Sequence, residues 1–83
     1  MKLRDDGIIW QELDGELVMM DLHRSVYLTT NGAGTFLARL LTEERSLEEL
    51  ASALSGEYGI DPGSARTDAG AFVDQLVAKD LLR

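Results

Sequence analysis

A run of strand-like segments followed by a run of helix-like ones predicts an α+β fold for this chain, three antiparallel strands ahead of three helices. The first third alternates apolar and β-branched residues around an Asp-Gly turn signal. The remainder carries apolar positions at spacings of three and four, each stretch opened by a capping residue. Eighty-three residues hold one core, and a chain of this size buries only about 60% of the surface its unfolded form exposes. A single domain over residues 1–83 follows.

Taken in order, Ile8, Ile9 and Trp10 begin the first strand, Asp14 and Gly15 form the turn, and Leu17, Val18, Met19 and Met20 form the second strand. On a strand one of the two methionines must face each way. Asp21, Leu22, His23 and Arg24 read as a polar connection, and His23 is assigned no function. Ser25, Val26, Tyr27, Leu28 and Thr29 are rich in β-branched and aromatic residues and make the third strand. Trp10 and Phe36 are read as core, and a core role is preferred for Tyr27.

Thr30 or Asn31 is positioned to cap a first helix carrying Ala33, Phe36, Leu37, Leu40 and Leu41. Ser46 and Glu49 have the spacing of a capping box, opening a second helix through Leu47, Leu50, Ala51 and Leu54 that ends near Ser55 and Gly56. Asp61 followed by Pro62 opens a third with Ala65, Ala69, Phe72, Val73, Leu76 and Val77. Leu81 and Leu82 close the core. The order suggests a small sheet packed on a helical trio like that of a winged helix-turn-helix.

Composition excludes several functions. With no cysteine and one histidine, disulfides, thiolate metal sites and a cysteine nucleophile are out, and the remaining carboxylates have the spacing of ordinary surface. No cofactor is expected, and no catalysis. No apolar run approaches the roughly 20 residues that span a bilayer, and nothing resembling a secretory signal follows Met1. The expected location is therefore cytoplasmic, with no membrane partner. Fifteen acidic against eight basic residues give a net charge of -7, a field that repels phosphate backbones. A winged-helix DNA-binding regulator needs a basic recognition helix. Here the second helix carries Glu48, Glu49 and Glu57, and the third sets Arg66 and Lys79 against Asp68, Asp74 and Asp80, so no nucleic acid is expected. The predicted strands also argue against an all-helical carrier domain.

Asp21, Leu22, His23, Arg24, Ser25, Val26 and Tyr27, followed by Asn31, Gly32, Ala33, Gly34, Thr35, Phe36 and Leu37, stand in an order that resembles a known family. So do the later Ser46-Leu47-Glu48-Glu49-Leu50, Glu57-Tyr58-Gly59-Ile60 and the closing residues 76–82. The family is that of leader-recognition domains related to the pyrroloquinoline-quinone biosynthesis D protein. Its members include the stand-alone leader-binding B protein of lasso-peptide clusters. This chain has Thr30 where the family usually has Leu, and Leu37 near a frequent Trp.

The resemblance implies a non-catalytic adaptor that binds the leader of a ribosomally made precursor peptide. The leader would add as a strand to the third strand, with its apolar side chains in a groove against the third helix, a mode that draws affinity from main-chain hydrogen bonds. The implied partners are that leader, a transglutaminase-like cysteine protease and an asparagine-synthetase-like cyclase; a pathway with a radical S-adenosylmethionine enzyme is the alternative. Mapped here, the peptide-binding edge is Ser25, Val26, Tyr27, Leu28 and Thr29. The stripe Arg66, Gly70, Val73 and Val77, beside Ala69, is read as the far wall. Tyr27 either stacks on a leader side chain or seals the core, and the core role is preferred. Arg66 could pair with an acidic residue of the leader, but the preferred reading leaves it solvated or paired with a neighbouring acid such as Asp61 or Asp74. On this reading Val26→Pro cuts the edge and Gly70→Leu fills the groove.

Overall fold

The computed structural model describes residues 1–83, except for the side chain of Asn31. The predicted order holds: β1 (Ile8–Leu13), β2 (Glu16–Asp21), β3 (Val26–Asn31), α1 (Ala33–Leu40), α2 (Leu47–Tyr58) and α3 (Pro62–Ala78). The strands form one antiparallel sheet in the order β1-β2-β3, and no helix is long and apolar enough to cross a membrane. Asp14 (φ 53°) and Gly15 (φ 81°) occupy the two-residue loop of the first hairpin. Paired positive φ values give the turn that matches the sheet's twist, which is why Asp-Gly was a good signal.

Strand parity divides the sheet into two faces. Leu17, Met19 and Leu28 point inward and are buried, whereas Met20 points out. The inner face shares one core with Leu37, Ala38 and Leu41 of α1 and its end, Leu50, Ala51 and Leu54 of α2, and Ala65, Ala69, Phe72 and Leu76 of α3. Trp10 and Phe36 are only partly buried on the rim of this core, and the Phe36 ring meets that of Tyr58 edge-on at 5.8 Å.

The cap residues explain two departures. Neither Thr30 nor Asn31 is the N-cap of α1. That position is Gly32, without a side-chain hydrogen bond, because β3 runs on through both residues. The buried Thr30 hydroxyl instead meets that of Thr35 at 3.1 Å. What the Asn31 side chain does lies outside the described residues. The Ser46–Glu49 capping box forms as expected, but α2 runs past Ser55 and Gly56 to Tyr58 and stops at Gly59, which takes the left-handed conformation (φ 64°). Asp61 caps α3 by accepting from the Ser64 amide at 3.0 Å.

The chain ends are joined. Leu3 and Leu82 form an antiparallel bridge. The Arg4 amide donates to the Leu81 carbonyl at 2.9 Å, and the Arg83 amide to the Lys2 carbonyl at 2.8 Å. Beside this clasp Asp21 is fully buried. Its Oδ1 accepts from the His23 amide at 3.0 Å, holding the β2–β3 turn, and its Oδ2 accepts from Arg4 Nη2 at 2.9 Å. Arg4 Nη1 also reaches the Asp80 carbonyl at 3.0 Å. Burial pushes the Asp21 carboxyl upward, but the His23 and Arg24 amides and the Arg4 guanidinium outweigh it, so its pKa lies below the ordinary 3.8.

Candidate functional site at the edge of β3

One edge of the sheet is β3, and ladder parity says which of its main-chain groups are free. The Leu22 amide donates to the Gly7 carbonyl at 2.9 Å. These two residues continue the Ile8↔Asp21 register, so they form a hydrogen-bonded pair. Because such pairs alternate along an antiparallel ladder, Asp21 turns its own main-chain groups away from β1 and towards β3. Its carbonyl accepts there from the Ser25 amide at 2.9 Å. Asp21↔Val26 and Met19↔Leu28 are then the hydrogen-bonded pairs of the second ladder. Val26 and Leu28 are committed to β2, whereas Tyr27 and Thr29 point their N–H and C=O groups off the edge.

Alongside this edge runs a groove of about 490 Å³ lined by Ser25, Val26, Tyr27, Leu28, Thr29 and, from the end of α3, Lys79. The helix runs opposite to the strand. Arg24, just before β3, pairs with Asp80 at 2.7 Å. Near the other end, a Cβ added to Gly34 would lie 3.0 Å from Thr30 and 3.4 Å from the Phe72 ring. Val26 and Leu28 share the inner face, so a strand added to β3 would place alternate side chains between the sheet and α3.

The five β3 residues therefore come together as expected, with one correction. Tyr27 is 63% exposed and is not core. Its register opposite Met20, itself opposite Ile9, puts all three side chains on the outer face of the sheet, where all are exposed.

The helical stripe does not join them. Ala69 is fully buried in the core. Arg66 pairs with Glu48 of α2 rather than with Asp61 or Asp74, and lies about 20 Å along the helix axis from Lys79. It lines a different depression, of about 580 Å³, between α2 and the first turns of α3. That one is the larger, but it is walled by two helices and offers no strand edge to pair with. At about 100° per residue, Val77 lies nearly opposite Lys79 around the helix, with Val73 and Gly70 in line with Val77. A buried stripe has two flanks. The sheet lies on the flank of Phe72 and Lys79, and α2 lies on that of Arg66. Sequence periodicity locates the stripe but cannot say which flank meets the sheet, and it gave no reason to single out Lys79. A Cβ on Gly70 would meet nothing within 4 Å, so no close approach by another part of the domain calls for that glycine.

The whole fold recurs in solved structures. TbiB1 in complex with the TbiA(beta) leader peptide superposes with a TM-score of 0.88 at 29% identity, over 100% of this chain and 95% of its own. Lasso peptide synthetase B1 complexed with the leader peptide gives 0.79 at 25% identity, over 93% of this chain and 89% of its own. No curated protein sequence shows a significant match. Residues 16–82, from the start of β2 through the closing segment, match the family described as coenzyme PQQ synthesis protein D, and the chain belongs to that family, PqqD.

Proposed function

We propose that this domain binds the leader segment of a ribosomally synthesised precursor peptide, of the lasso-peptide type, as a fourth strand on β3. The observation that carries this reading is the free edge at Tyr27 and Thr29 beside a groove that an added strand's inward side chains can enter. The two similar structures, each holding a leader peptide, support it. The domain would work in the cytoplasm as a non-catalytic adaptor without a cofactor. Holding the leader raises the effective concentration of the precursor at a transglutaminase-like cysteine protease and an asparagine-synthetase-like cyclase.

Calorimetric titration with the leader encoded beside this chain's gene, against its core peptide and a scrambled leader, tests the proposal. Binding to the leader alone at micromolar affinity or tighter is expected, and binding of all three peptides alike, or of none, would refute it.

Gly70→Leu tests the flank. Leucine is the better helix former by most of about 1 kcal/mol, and space is open at that Cβ. Thermal unfolding should therefore shift upward while leader affinity stays within about twofold, less than one interfacial hydrogen bond contributes. A large loss of affinity in the folded variant would return the groove to the α2 flank.

A further inference from the structure

The groove carries one cation, and it is unspent. Each of the six arginines sits in an ion pair: Arg4 with Asp21, Arg24 with Asp80, Arg39 with Glu12, Arg45 with Glu43, Arg66 with Glu48 and Arg83 with Asp5. Among the described residues the two lysines have no such partner, and of these Lys79 lines the groove. Its neighbour Asp80 cannot serve it freely, because the Asp80 carboxylate is held by Arg24 at 2.7 Å and Arg4 at 3.5 Å. A half-buried lysine beside a free strand edge, on a chain of net charge -7, is the local exception to the surrounding field.

We propose that Lys79 selects leaders by pairing with an acidic side chain on the added strand. This deepens the leader-binding reading and rests on it. The Arg24–Asp80 pair holds the end of α3 at the start of β3, so Lys79 faces the Val26 end of the groove. Cross-strand neighbours share a face. The peptide residue opposite Val26 therefore points to the α3 side, towards the ammonium, and two positions along, opposite the buried Leu28, an apolar residue belongs. The substrate class is a strand carrying a carboxylate and an apolar side chain two residues apart on the same face.

The test uses the full chain and two peptides, the leader of the neighbouring precursor and the same leader with every Asp and Glu changed to Asn and Gln. Wild type should bind the amide version about tenfold more weakly at low salt, as a close interfacial charge pair requires. Lys79→Gln, confirmed folded by circular dichroism, should bind the natural leader about tenfold more weakly and distinguish the two peptides no further. The difference should shrink in about 1 M salt, where screening acts within ~3 Å. Undiminished binding of the natural leader by Lys79→Gln, or a binding leader with no acidic residue, overturns the inference and leaves strand addition standing. Failure of wild type to bind the natural leader removes both.

Discussion

Thr29→Pro should leave the domain folded and weaken leader binding by about tenfold or more. Thr29 is exposed on the outer face of an edge strand, and its N–H points away from β2, so proline there removes no hydrogen bond of the free protein. Edge strands are where proline is tolerated. If the leader adds to β3 as proposed, that N–H donates to it, and its loss leaves a peptide carbonyl unpaired in a closed ladder, a cost of about 1–3 kcal/mol. A factor of ten corresponds to about 1.4 kcal/mol. Val26→Pro, the substitution that the sequence alone singles out, does something else. The Val26 N–H is committed to Asp21 across the ladder, so that variant should unfold. Circular dichroism melts and calorimetric titration of the two variants separate these effects. A Thr29→Pro domain that is folded and binds the leader as wild type does would mean that the leader does not pair with β3.

What could be read beforehand was what depends on near neighbours in the chain. The Asp14–Gly15 turn, the Ser46–Glu49 box and the Asp61–Pro62 helix start are each set by two to four adjacent residues, and each forms where expected. Parity was legible for Met19 and Met20, because two adjacent residues on a strand must diverge. It was misjudged for Tyr27, whose aromatic ring was given a core role although both its strand neighbours, Val26 and Leu28, face inward. The wall of the site was harder. Ala69, Phe72 and Leu76 mark the buried stripe of α3 unambiguously, but only the packing of the helix between α2 and β3 decides whether Gly70 or Lys79 sits by the groove. The terminal clasp left no periodic trace at all, since Leu3 and Leu82 meet across nearly the whole chain. For the same reason Asp21, read as the start of a polar connection, gave no sign that Arg4 would bury it.

That buried carboxylate should make the largest single contribution of any polar side chain to stability. Asp21→Asn keeps the shape and an oxygen for the His23 amide, but removes the charge that compensates the largely buried Arg4 guanidinium. Taking one partner from a buried pair is far more damaging than replacing both. Thermal unfolding at neutral pH should fall by roughly 10 °C or more for a domain of this size. Leader affinity should fall with it, because Asp21 pins both the turn that opens β3 and, through Arg4, the Asp80 end of the groove. The pH dependence has a definite sign. With its folded pKa below the ordinary 3.8, Asp21 contributes stability that is fully present above the unfolded value and is lost as pH falls through the folded one. Wild type should therefore weaken on acidification below about pH 4, and Asp21→Asn should show a shallower acid slope. Glu49, whose pKa is lowered by its bond to the Ser46 amide, would account for part of the slope that remains. Replacing both partners, Arg4→Met with Asp21→Leu, should recover much of the lost melting temperature. If Asp21→Asn melted at the wild-type temperature at neutral pH with an unchanged acid slope, the pair would be a passenger in the core, and the groove's geometry would have to be held by the terminal clasp instead.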